Sequence, residues 1–119
     1  MPARLRPSPP ADVAAALAAA PRSDEQTRLL VKHFLAVLEA RAPGRSVEVR
    51  VPPYAAVQAV AGVRHTRGTP PAVVETDAST WLELATGALS FTSAEAEGRL
   101  RASGERADLT AYLPLTETP

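Results

Sequence analysis

The spacing of the apolar residues changes once, at Gly44, and that change limits what the chain can fold into. Before it, Leu30, Phe34 and Leu38 recur four residues apart with Val31 and Leu35 beside them, while Arg28, Lys32, Glu39 and Arg41 take the remaining positions. This is the single apolar stripe of an amphipathic helix. After it, Val47, Val49 and Val51 alternate with Glu48 and Arg50, the pattern of a strand with one face buried. A long helix followed by a half-buried sheet predicts an α+β domain. The helix has a marked start: Ser23 is an N-cap, Asp24 and Glu25 suit the first turn, and Gln26 completes a capping box. It runs to about Ala42, and the Pro43-Gly44 pair stops it.

Pro52-Pro53 ends the first strand, because proline cannot donate to a sheet ladder. Tyr54 to Val60 reads as a second strand, and 61–71 as a polar connection with room for a short third. A further strand, "AVVETD", ends at Asp77, which caps the helix "ASTWLELAT". In that helix Trp81, Leu84 and Ala85 share a face, with Leu82 beside them. Gly87 is its left-handed end. A short helix starts at Ser93 and stops at Gly98, "RLRAS" is a strand with Leu100 and Ala102 inward, and Gly104 turns the chain. Asp108 to Leu113 is a last helical turn, stopped by Pro114. At the other end, residues 1–10 are Pro-rich and read as a flexible tail, and 11–20 as a short Ala-rich helix stopped by Pro21. No internal repeat is present, so residues 11–115 are expected to form one domain.

Charge and composition remove several classes of function. Thirteen basic residues balance thirteen acidic ones, for a formal charge of zero. Nucleic acid and a polybasic membrane anchor both need clustered positive charge, so neither is expected as a partner. The chain has no cysteine, which excludes disulfides, thiolate catalysis and Cys-ligated zinc. The start "MPARLRPSPPADVAAALAAAPRS" imitates a signal peptide, but Asp12 and the prolines interrupt its apolar part and suit a short helix better. No run approaches the roughly 20 apolar residues of a membrane-spanning helix. The cytoplasm is therefore the expected compartment, with no integral membrane segment.

The series of helix, Gly87, short helix, Gly98, alternating strand, Gly104 and last helix resembles the C-terminal half of sterol carrier protein type 2-like domains, above all small stand-alone bacterial ones. The residues that carry the resemblance run from Asp77, Trp81 and Leu84 through Leu89, Phe91 and Ala94 to Leu100, Asp108 and Leu109. It implies a mostly antiparallel sheet of four or five strands with helices on one face, and an apolar cleft that in relatives holds a lipid or acyl chain. Two features depart from the family. Pro52-Pro53 replaces a glycine-rich turn, and the chain printed here ends in "TETP" instead of a peroxisomal address.

On this reading Trp81, Leu84, Ala85, Leu100, Leu109 and Tyr112 either enclose an apolar ligand or pack on each other as core. Arg64, His65 and Arg67, in "VRHTRGTPP", either bind an anionic head group through guanidinium forks or form a solvated loop. Glu75 and Asp77 read as a surface carboxylate and a helix cap. No nucleophile motif, phosphate loop or metal-ligand cluster stands out, so no catalysis, cofactor or metal is expected. Non-catalytic binding or carriage of a lipid, fatty acid or acyl chain is the leading function. The alternatives are an accessory domain that acts in trans with a metal- and thiol-cofactor-dependent isomerase, and a module that forms homodimers.

Overall fold

The computed structural model describes residues 5–62, 72–104 and 107–116. Helix α1 (Pro10–Ala18) leads into α2 (Asp24–Arg41), whose N-terminus carries the expected capping box. The Gln26 N–H donates to Ser23 Oγ at 3.1 Å, and the Ser23 N–H donates to Gln26 Oε1 at 2.9 Å. Strands β1 (Val47–Val51), β2 (Ala55–Ala59) and β3 (Ala72–Thr76) follow, then α3 (Ala78–Thr86), α4 (Phe91–Ala96), β4 (Leu100–Ser103) and a 3-10 turn at Thr110–Tyr112. The short helix α4 starts earlier than the sequence suggests. Ser90, not Ser93, is its N-cap, and Ser93 supplies the N–H that Ser90 Oγ accepts. Two serines three residues apart offer the same cap chemistry, and burial of Phe91 and Ala94 selects the earlier one.

The sheet has four strands in the order β2-β1-β3-β4. β1 pairs antiparallel with β2, and β3 with β4, while β1 and β3 are parallel. The strand expected within 61–71 falls almost wholly outside the described residues. The alternation read for β1 holds: Val47, Val49 and Val51 are fully buried, with Val57, Ala59, Ala72 and Val74 beside them on the same face. The stripe of α2 and the inner face of α3 close over that face. The opposite face is polar, and register aligns Arg50, Glu75 and Arg101 across three strands.

One junction ties helix to sheet. The Val60 N–H donates to the Ala42 carbonyl at 2.6 Å, and the Val60 carbonyl accepts from Ser46 N–H at 3.0 Å and Ser46 Oγ at 2.6 Å. The Ser46 carbonyl in turn accepts from Ala72 N–H at 3.0 Å. The end of α2, the start of β1, the end of β2 and the start of β3 meet there. Gly44 is what allows it, because a Cβ at that position would lie 2.2 Å from Val60 O. Gly98, in contrast, is left-handed (φ +72°) but faces open space.

Residues 5–9 run beside α2. Leu5 packs against the core, and the Ser8 N–H donates to His33 Nδ1 at 2.9 Å. The His33 ring is thus a neutral acceptor at Nδ1. It also meets the Phe34 ring edge-on at 4.9 Å. Partial burial lowers the His33 pKa from its ordinary value.

Two predictions follow from these contacts. Gly44→Ala should destabilise the protein by about 2 kcal/mol or more through a backbone clash, against about 1 kcal/mol for left-handed strain alone in Gly98→Ala. Urea denaturation of the two variants checks this, and equal losses would contradict the junction. For His33, the unfolded chain binds the proton more readily than the folded one. Its contribution is therefore complete above the ordinary histidine range and is lost as pH falls through about 6.5 and below. Thermal melts from pH 7.5 to 5 should show that decline, and His33→Gln should flatten it.

Candidate functional site

Helix α3 is held at a defined height over the sheet. Asp77 Oδ1 accepts from the Thr80 N–H at 2.7 Å, so the first turn is capped. Arg99, just after Gly98, reaches across from the start of β4: its Nε donates to Thr80 Oγ1 at 3.2 Å, and its Nη2 donates to Glu83. That bond and the charge of Glu83 hold the Arg99 guanidinium more firmly protonated than usual. Beyond Gly87 the chain returns along the helix. The Leu115 N–H donates to the Ala85 carbonyl at 2.8 Å, and Leu115 is buried.

Of the residues that the sequence reading assigns to an apolar cleft, Trp81, Leu84 and Ala85 are on α3, Leu100 is on β4, and Leu109 and Tyr112 are near the C-terminus. Trp81, Leu84, Ala85 and Leu109 are buried almost completely, and Leu100 is 5% exposed. Tyr112 is half-buried and packs against the core. The Trp81 indole Nε1 donates to the Val31 carbonyl of α2 at 3.4 Å, which joins the two helices. Leu100 also touches a small charged cleft of about 400 Å³ with Glu75, Asp77, Arg99 and Arg101. Arg64, His65 and Arg67 lie outside the described residues.

An open groove of about 700 Å³ runs along the outer side of α3. One wall is the end of α1 and the turn into α2, where Leu17, Ala19, Ala20 and Pro21 present carbon to the groove and Arg22 and Thr27 present polar atoms. The other wall is α3, with Ala78, Leu82 and Thr86 one turn apart, Ser79 and Glu83 beside them, and Ala88 at the far end. Leu82 belongs to both regions: 6% exposed, it is part of the core and also lines the groove. The polar atoms of the walls are largely engaged locally. Thr86 Oγ1 donates to the Leu82 carbonyl at 2.8 Å, and Thr27 Oγ1 donates to the Ser23 carbonyl at 3.1 Å. Glu83 is turned toward Arg99. The surface left for a ligand is mixed, with aliphatic carbon from both walls beside polar atoms.

The family described as "Bacterial SCP ortholog" matches residues 23–115, from the cap of α2 to the buried Leu115. The chain belongs to this family. Among curated proteins, none matches it. The SCP match takes in α2, the sheet, α3 and the C-terminal return, whereas α1 and Arg22 precede it. The groove therefore combines one wall from the SCP region with one that comes, apart from Thr27, from the preceding segment.

Sequence reasoning did not find this second wall. It read Pro21 only as a helix stop and passed over Arg22. A signal was present: an arginine a few residues past a helix end can return to the unpaired carbonyls there. Arg22 does so, through Nε to Ala16 O at 2.9 Å and Nη2 to Leu17 O at 3.2 Å. Among the described residues, no helix is long and apolar enough to cross a membrane.

Proposed function

We propose that this protein binds and carries an apolar ligand, a lipid, fatty acid or acyl chain, without transforming it, and that the ligand lies in the groove between the α1–α2 turn and α3. The observation that carries the reading is the groove itself. It is an open depression of about 700 Å³ with aliphatic side chains on both walls, in a chain of the bacterial SCP family. That volume falls in the range of small-molecule sites, roughly 300–1,000 Å³.

Each methylene fully withdrawn from water contributes about 0.8 kcal/mol, and one lying in an open groove contributes part of that. Such a site favours a long unbranched chain over a compact ligand, because the gain grows with the length laid down. Trp81, Leu84 and Ala85 are buried beneath α3, and the largely buried Leu82 lines the groove.

Ala20 and Ala88 are exposed and lie on opposite walls, so they can be enlarged without disturbing the core. The double variant Ala20→Trp, Ala88→Trp should keep the wild-type melting temperature and lose at least about tenfold in displacement of the neutral dye Nile red by dodecanol, an effect of about 1.4 kcal/mol. Unchanged displacement in a folded double variant would place the ligand elsewhere, and no displacement in the wild type would remove the carrier reading.

A further inference from the structure

Arg22 lines the groove with a guanidinium that is held on one edge and open on the other. Its Nε and Nη2 donate to the carbonyls of Ala16 and Leu17 at 2.9 and 3.2 Å. Both carbonyls belong to the last turn of α1, where the Ala16 carbonyl also accepts from the Ala19 N–H at 3.4 Å. The bonds fix the plane of the group and use its side edge. Of the five N–H donors of an arginine, the two on Nη1 and the second on Nη2 are left. They form the end-on fork that matches the two oxygens of a carboxylate.

Arg22 makes no ion pair among the described residues. The other charged group on the groove, Glu83, is bonded to Arg99. The groove thus combines apolar side chains with one cation, Arg22, that has no ion pair among the described residues and is supplied by the turn at the end of α1.

We propose that Arg22 is the head-group anchor of the groove and that the ligand class is a long-chain monocarboxylate, its carboxylate on the free edge of the guanidinium and its chain along Leu17, Pro21 and Leu82. The inference rests on the carrier reading above and narrows it. Preorganisation gives the anchor its effect. A free arginine loses side-chain freedom when it closes on an anion, whereas Arg22 is already restrained by the two carbonyls. Anion binding does not displace those bonds, since it uses different N–H groups. Arg22 precedes the region matched by the family, so the selectivity comes from this chain's own N-terminal segment.

The test compares dodecanoate with dodecanol in Nile red displacement at pH 8, in wild type, Arg22→Gln and the double variant Arg64→Ala, Arg67→Ala. Wild type should bind dodecanoate about fivefold or more tightly than dodecanol, the upper range for a solvent-accessible ion pair. Arg22→Gln should remove that preference and leave dodecanol binding within about twofold, while Arg22→Lys keeps part of it because one point charge replaces the fork. Arg64→Ala, Arg67→Ala should retain the preference. Equal loss for both ligands in Arg22→Gln would make Arg22 a structural cap only and overturn the proposal. So would a wild type that does not discriminate, or a preference that disappears with Arg64 and Arg67. Binding of neither ligand by the wild type would instead remove the carrier reading, and the anchor with it.

Discussion

The Trp81 indole is wholly buried, and its one polar atom is satisfied by the Val31 carbonyl of α2. This contact fixes the distance between the two helices that cover the sheet. An indole is the largest side chain available, and a buried N–H without a partner would cost roughly 1–3 kcal/mol, so the ring has a preferred seat and orientation. With Trp81 placed, Leu84 and Ala85 face the core and Leu82 turns to its margin. The outer side of α3 then stands opposite the end of α1, and the groove is the space between them. The groove is thus a consequence of helix packing and does not require a void in the core.

The second constraint is the junction at Ser46 and Val60. A β-branched residue at φ 67° is strained, by an amount on the order of 1–2 kcal/mol. Its N–H donates to Ala42, its carbonyl accepts from Ser46, and Gly44 leaves room for that carbonyl. The sheet register depends on this knot: it sets β1 against both neighbours at the end where α2 arrives.

Much of the framework was legible in the sequence because short-range chemistry determines it. The capping box at Ser23, the cap at Asp77 and the alternation of Val47, Val49 and Val51 each depend on residues within a turn or a strand of one another. The glycines at 87, 98 and 104 all have positive φ, as their role in ending elements requires. The start of α4 was less legible, because Ser90 and Ser93 are equivalent as caps until Phe91 is seen to be buried. The parallel pairing of β1 and β3 is not written in either strand, since a buried strand reads alike in both senses. The groove was hidden for a related reason. Its walls come from residues some sixty positions apart, and the alanines that line it also suit tight packing. The face of Trp81, Leu84 and Ala85 was correctly seen as apolar, but a face alone does not say whether a neighbour or a ligand covers it.

The carrier function proposed above rests on membership in the bacterial SCP family and on a groove with one restrained cation on its wall. The most direct measurement is an amide chemical-shift titration of the protein with dodecanoate. Binding in the groove moves the resonances of residues 17–22 and 78–88 together and saturably, with the strands Val47–Val51 and Ala72–Thr76 little changed. Shifts centred on those strands, or none at any concentration, would contradict a ligand site between α1 and α3.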